Sequence, residues 1–323
     1  MQYRTLTGTG IKVSRVSLGT MTFGNQASES EAIKMVDYAL DKGVNFIDTA
    51  DIYSKGAAEI ILGKALKGKR DRVVLASKVR HFMGPDEFKD VGLHRWHIVK
   101  GIEASLRRLN TDCLDICYLH GADYETPFEE TLTAMDQLVR QGKVMYVGMS
   151  NCAAWQVCQA LWLCDRKNLY PPVVTQVPYN LITRAIESEL VPFCRTFDVG
   201  MTVYNPLAAG LLTGKYSRDK VPAKGTRFEL NKHYYNRYWD DSNFEAMAEL
   251  EQIARKSGKK MIALALQWLI DQPHVDSVVL GVSKIEQLRE NLTAWEGKLD
   301  DSIREACNRV WKKIRGAHFQ YNR

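Results

Sequence analysis

Residues 44–53 read VNFIDTADIY, an apolar run through Val44, Phe46 and Ile47 that ends on a carboxylate, Asp48, with a phenol, Tyr53, just beyond it. A run this short, with turn-forming residues on both sides, has the length of a strand rather than a helix. The pattern recurs downstream. Residues 72–79, RVVLASKV, form a second run that carries Lys78, and residues 113–120, CLDICYLH, form a third that ends on His120. Strands of this kind, separated by longer segments of helical period, point to repeated β-α units and a parallel sheet.

Extended along the chain, the same reading places eight strands: RVSLGTM (15–21), VNFIDTA (44–50), RVVLASKV (72–79), CLDICYLH (113–120), VMYVGMSN (144–151), VVTQVPYN (173–180), GMTVYNPL (200–207) and DSVVLGVS (276–283). Eight parallel strands with intervening helices close a (β/α)8 TIM barrel. The expectation is therefore an α/β fold, one barrel domain over residues 1–323, with a long loop after strand seven and a C-terminal helix. The helices carry their own signals. In SEAIKMVDYALDKG (30–43) apolar residues recur three and four apart, with Ser30 as a cap and Gly43 as the stop. In PFEETLTAMDQLVRQGK (127–143) acids fill the first turn and Gly142 ends the helix.

Composition narrows the class. With 45% hydrophobic and 25% charged residues, the chain has material for one large core and is neither disordered nor fibrous. The net charge of +6, from 44 basic and 38 acidic residues, is modest and dispersed. It can help draw an anionic cofactor, but it lacks the basic stripe with interleaved aromatics of a nucleic-acid binder. Seven cysteines, an odd number, do not read as a disulfide framework. Cys113 and Cys117 share a strand face, and Cys152, Cys158 and Cys164 recur six apart around a helix; neither set has zinc-ligand spacing, so no metal is expected. MQYRTLTGTGIKV lacks the apolar run of a signal peptide and no segment approaches 18 apolar residues, which reads as a cytoplasmic protein without a membrane partner. The basic tail WKKIRGAHFQYNR reads as a solvated helix end.

Taken singly, each polar residue at the strand ends has an ordinary explanation: Asp48 a helix cap, Tyr53 a loop aromatic, Lys78 a solvated strand end, His120 a core histidine. Jointly they mean more, because the C-terminal ends of barrel strands converge on one mouth. A tyrosine with an ordinary pKa of about 10 is a poor acid at neutral pH. A nearby ammonium stabilises the phenolate and brings that value down. Lys78 is the ammonium, Asp48 pairs with it, and His120 orients a carbonyl oxygen beside Tyr53, the general acid in reduction and base in oxidation. Arg80 and His81 either add positive charge near Tyr53 or face solvent.

Here the chain resembles the aldo-keto reductases. The resemblance spans nearly all 323 residues, from SRVSLGTMTFG through IDTADIY, LASKV, YLHGAD, GKVMYVGMSN, TQVPYNL and YNPLAAGLLTGKY to VVLGVSKIEQLRENL, in the family's order and spacing. It implies a barrel that reduces aldehydes or ketones with a nicotinamide cofactor, usually NADPH, and a catalytic tetrad of Asp48, Tyr53, Lys78 and His120. By the same resemblance Gly19, Thr20, Met21 and Asp48 border the cofactor. Ser150, Asn151 and Gln176 clamp the carboxamide, and Tyr204 is the ring on which the nicotinamide stacks. Asn205, Pro206, Leu207, Gly210, Leu212, Gly214 and Lys215 approach the pyrophosphate. Gly281, Ser283, Lys284, Gln287, Glu290 and Asn291 meet the adenosine end, with Lys284 and Arg289 set against the 2′-phosphate, hence NADP(H). Lys284 and Arg289 also read as ordinary exposed helix charges.

One long stretch, KYSRDKVPAKGTRFELNKHYYNRYWDDSN (215–243), shows no clear period. Loops this long in compact domains are usually functional or disordered, and its place after strand seven favours a lid. Met21, Phe82, Trp96, Tyr235 and Trp239 are candidates for the pocket wall and equally for packing. Two other readings stay open: an NADP(H)-binding regulatory subunit with little turnover, as the potassium-channel β subunits of the family are, and an aldolase-like barrel in which Lys78 forms a Schiff base.

Overall fold

The first strand of the chain already departs from the eight expected ones. In the computed structural model, which describes residues 1–316, β1 (Tyr3–Thr5) and β2 (Lys12–Ser14) pair as an antiparallel hairpin ahead of the barrel. Its Leu6 and Val13 are fully buried in a cluster with Phe46, Ala76, Ile116, Tyr118 and Val174, so the hairpin adds apolar side chains to the barrel interior.

All eight expected strands follow: β3 (Val16–Gly19), β4 (Phe46–Asp48), β5 (Val74–Val79), β6 (Leu114–Leu119), β7 (Val144–Ser150), β8 (Pro172–Pro178), β9 (Gly200–Tyr204) and β10 (Ser277–Gly281). They close a barrel in the order β10-β3-β4-β5-β6-β7-β8-β9, with each described pairing parallel. Every residue of β3 and β4 is buried, as expected for parallel strands covered on both faces. Gly148 on β7 is required by its neighbour, since a Cβ there would sit 2.4 Å from the Tyr118 ring.

Helix Glu29–Asp41 buries Ala32, Met35, Val36, Ala39 and Leu40, one stripe at helical spacing. Its cap is Ser28, whose side chain accepts the Glu31 N–H; Ser30, the expected cap, lies within the first turn. Gly43 (φ 82°) ends it as expected, and Gly142 (φ 71°) ends helix Phe128–Arg140. The stretch 215–243 is less irregular than its sequence implies. It contains helices Arg227–Leu230 and Lys232–Tyr238 and leads into helix Asp241–Lys256. Trp239 organises it, with the rings of Tyr216, Phe228, Tyr235 and Phe244 all within 5.6 Å. No sequence period betrays such a cluster, because its members come from different turns.

The chain divides into two compact units. The first, Met1–Val177, Pro192–Thr202 and Asp276–Leu288, holds the hairpin and most of the barrel; the second comprises Pro178–Val191, Val203–Val275 and Arg289–Arg323. The C-terminal helix runs over Asp301–Arg315, while the end of the basic tail, 317–323, lies outside the described residues. All seven cysteines are free, and burial pushes the thiols of Cys152, Cys164 and Cys307 up to about 11, leaving them protonated. Cys113 and Cys152 lie just outside the strand and helix expected to hold them.

Candidate active site

Asp48 is the last residue of β4, Lys78 the second-last of β5, and His120 the residue after β6. Three neighbouring parallel strands thus present them at the same end. Tyr53 opens the tight turn Tyr53–Gly56 that follows β4.

The lysine is fully engaged. Its Nζ donates to Asp48 Oδ1 at 2.5 Å, to the Thr49 carbonyl at 2.7 Å and to the Tyr53 hydroxyl at 3.4 Å, which accounts for all three ammonium donors. The other carboxylate oxygen of Asp48 accepts from Gln176 Nε2 at 2.8 Å. Both Asp48 and Lys78 are only 2% exposed. A buried pair of this kind is stable only while both partners remain, and removing one costs about 3–5 kcal/mol. The ammonium lies 5.1 Å from the Tyr53 ring centroid. Were the hydroxyl to lose its proton, the gross attraction at 3.4 Å would be about 5 kcal/mol for an effective dielectric of about 20.

His120 stands edge-on between two rings, Tyr53 at 6.0 Å and His81 at 4.8 Å between centroids. Burial, then the charges of Lys78, His81 and Arg80, hold its pKa well below 6.5, so the imidazole is neutral at neutral pH. A neutral ring donates from one nitrogen and accepts at the other. Its Nδ1 is buried without a hydrogen-bond partner among the described residues. Burial and the charge of Arg80 also keep His81 below its ordinary pKa, and its ring is an aromatic neighbour of His120. Arg80 points its Nε at the Ala122 carbonyl, 2.9 Å away.

Other expected residues of the first unit gather at the same strand ends. Gly19 pairs with Asp48 on one side and Gly281 on the other, and Thr20 donates its N–H and hydroxyl to the Asp48 carbonyl. Ser150 gives its hydroxyl to the Gln176 carbonyl, and Asn151 Nδ2 donates to Ser150 Oγ and the His120 carbonyl. Asn151 has φ 55°, a left-handed conformation that an asparagine tolerates. Gln176, expected at the carboxamide, gives its side-chain nitrogen to Asp48 and also lies within hydrogen-bonding reach of the Tyr118 hydroxyl.

At the start of helix Ile285–Ala294 the structure qualifies the expected phosphate site. The Glu31 carboxylate takes the Ile285 N–H at 2.7 Å, and Gln287 Oε1 takes the Ser283 N–H at 2.9 Å. Two amide donors are therefore already capped, and one cap is an anion. Lys284 at this helix start is exposed and without an ion pair among the described residues, and Arg289, the other expected cation, is exposed one turn further along the helix. Gly281 is open, with no atom within 4 Å of a Cβ position.

In the second unit, Tyr204 is half-buried and bonded to the Arg237 guanidinium, with burial pushing its pKa up to about 12. Asn205, Ala208, Ala209, Gly210 and Gly214 all have positive φ, between 48° and 98°. Such residues cluster at ligand clamps, because strain persists only where the surroundings enforce it. Leu212 and Pro206 are buried and Lys215 is exposed, its pKa lowered by partial desolvation. Glu290 reaches Lys260 at 3.5 Å and Asn291 is buried. Taken unit by unit, the polar row of Ser150, Asn151 and Gln176 in the first, and the Tyr204 ring with the small-residue loop and Lys215 in the second, each offer chemistry that suits one part of a nicotinamide dinucleotide.

Among the pocket candidates, Phe82 and Trp96 are 47% and 57% exposed, Met21 is half-buried, and Tyr235 and Trp239 stack on one another. The sequence reading missed Asp51 and Glu59, both fully buried, and the half-buried Arg108 that pairs with Glu59. One signal was available: Glu59 is the lone acid in AAEIILGKA, an otherwise apolar helical run.

Comparisons with known proteins agree with this geometry. Residues 15–312 match the aldo/keto reductase family. A probable voltage-gated potassium channel subunit beta of Oryza sativa subsp. japonica is 39% identical over 301 residues, covering 91% of each chain. Aflatoxin B1 aldehyde reductase member 2 of Rattus norvegicus is 35% identical over 329 residues, 96% of this chain and 88% of that protein. An uncharacterized oxidoreductase of Bacillus subtilis (strain 168) is 33% identical over 325 residues, 96% of each.

Proposed function

The chain belongs to the aldo/keto reductase family, and from that premise we propose that this oxidoreductase reduces an aldehyde or ketone to an alcohol, or runs the reverse reaction, with Tyr53 as the general acid or base. The observation that carries the proposal is the Lys78 ammonium, fixed by Asp48 and Thr49 and aimed at the Tyr53 hydroxyl. When bound, a nicotinamide cofactor supplies or accepts the hydride.

The chain's own residues manage the proton. As a substrate carbonyl oxygen gains negative charge, Tyr53 gives it the hydroxyl proton, and the ammonium stabilises the charge left on the phenol oxygen. Neutral His120 orients the same oxygen by a hydrogen bond, and Asp48 keeps the ammonium in place. Gln176, by holding Asp48, prevents the carboxylate from turning away.

NADP(H) is the proposed cofactor, with Lys284 meeting the 2′-phosphate as a charge rather than through the helix N-terminus, which Glu31 and Gln287 already cap. Ser150, Asn151 and Gln176 would hold the carboxamide, Tyr204 would carry the ring, and the loop from Asn205 to Lys215 would approach the pyrophosphate. The likeness to a potassium channel subunit beta favours a second reading, a regulatory NADP(H)-binding subunit with little turnover. A panel of aldehydes, ketones and alcohols assayed with NADP(H) and NAD(H) separates the two: multiple turnovers support the enzyme, and a single turnover supports the regulator. In that assay Tyr53→Phe should lower turnover by at least about a hundredfold while leaving cofactor binding intact. Near-native turnover would remove Tyr53 from its role.

A further inference from the structure

The turn that carries Tyr53 is held in an unusual shape. Ser54, Lys55 and Gly56 follow the tyrosine with φ of 50°, 52° and 88°, three left-handed residues in succession, two of them not glycine. Such a turn persists only where its surroundings over-determine it. One contact comes from the loop after β3: Ser54 Oγ donates to the Phe23 carbonyl at 2.6 Å.

The other comes from a distant helix. Arg108, on helix Arg95–Leu109, lays its side chain over Gly56 so closely that a Cβ there would lie 2.9 Å from its Cδ and 3.0 Å from its Nε. The guanidinium donates to Glu59 Oε2 at 2.7 Å and to Ser105 Oγ at 3.1 Å. Glu59 is fully buried, and its Oε1 accepts from Ser77 Oγ at 2.5 Å. Ser77 is the residue before Lys78 on β5. The contacts therefore close a ring: the Tyr53 turn, Gly56, Arg108, Glu59, Ser77, Lys78 and back to the Tyr53 hydroxyl.

We propose that Arg108 is a positioning residue: through Gly56 and Glu59 it ties the turn bearing Tyr53 to the strand bearing Lys78, and so sets the distance between phenol and ammonium. This rests on the assignment of Tyr53 as the proton donor. A lysine could keep the charge beside Glu59, but it lacks the planar fork that reaches Glu59 and Ser105 together while covering Gly56.

The test compares Arg108→Lys and Ser77→Ala with Arg107→Lys, an exposed neighbour on the same helix, and with Tyr53→Phe. Carbonyl reduction is followed in ordinary and heavy water, cofactor affinity by quenching of tryptophan fluorescence, and folding by thermal melts. Arg108→Lys should lose about ten- to a hundredfold in kcat, the scale of a small misplacement of reacting groups. KM and cofactor affinity should stay within about twofold, since binding is not what the ring controls. The solvent isotope effect should rise, because proton transfer becomes slower. Ser77→Ala should move kcat in the same direction by less, and Arg107→Lys should match the parent. Unchanged kcat in both Arg108→Lys and Ser77→Ala overturns the proposal, as does a loss that tracks the unfolded fraction or shifts KM with kcat. If Arg108→Lys does not fold, Ser77→Ala decides alone by the same criteria. Near-native activity in Tyr53→Phe would overturn the functional reading itself and this inference with it, whereas an inactive Tyr53→Phe beside a fully active Arg108→Lys overturns only the inference.

Discussion

Replacing Asp51 by asparagine should stabilise the protein, and the gain should depend on pH. Asp51 lies two residues before Tyr53 and is fully buried. Its Oδ1 accepts the Ile52 N–H at 2.6 Å, while Oδ2 has no partner among the described residues. Burial, reinforced by the Glu59 carboxylate, pushes its pKa from 3.8 to about 8. The folded protein therefore keeps a proton that the unfolded chain releases once the pH exceeds 3.8. Stability tied to that proton is fully present below pH 3.8 and is lost progressively as the pH rises to about 8. At pH 7 the interval above 3.8, at about 1.36 kcal/mol per pH unit, sets a ceiling of about 4 kcal/mol on the penalty. Asparagine escapes that penalty and keeps an oxygen for Ile52, but it buries an amide NH2 whose missing partners cost about 1–3 kcal/mol. The expected net gain for Asp51→Asn is about 1–3 kcal/mol at pH 7, falling to zero or reversing near pH 4.5. Urea unfolding of both proteins at the two pH values measures it. A stability difference that is the same at both pH values would refute the reasoning, because it would mean that Asp51 is ionised in the folded state like any exposed carboxylate.

Two further outcomes are expected. Lys284→Met should weaken NADPH about ten- to a hundredfold, the loss of one charge-assisted contact worth about 1.5–3 kcal/mol, and leave NADH nearly unchanged; equal losses for both would show that Lys284 does not read the phosphate. If the stretch 215–243 closes over bound cofactor, trypsin should cut first at exposed Lys220 and Lys224, more slowly at Arg227 and Lys232 within the short helices, and NADPH should suppress these cuts while sparing Lys313 and Arg315. Identical cutting with and without NADPH would reject the lid.

What the sequence determined alone was whatever depends on local order. Apolar runs of strand length alternating with helical periods specify a parallel sheet covered on both faces, and their number, eight, is the number that closes a barrel. Asp48, Lys78 and His120 were legible for the same reason: each stands at the C-terminal end of a run, and in a barrel those ends meet. Tyr53 was legible by its short distance from Asp48. The tertiary structure decided what depends on contacts between segments far apart in the chain. Only there does Gln176 prove to hold Asp48 across a separation of 128 residues, and Glu31 to occupy the helix start near Lys284 across 254. The left-handed turn after Tyr53 and its support by Arg108 were equally hidden, because Ser54 and Lys55 carry no local preference for that conformation. The groups beside that turn, Arg108 over Gly56 and the Phe23 carbonyl at Ser54, come from other parts of the chain, and a residue's sequence neighbours do not reveal which distant group will lie against it.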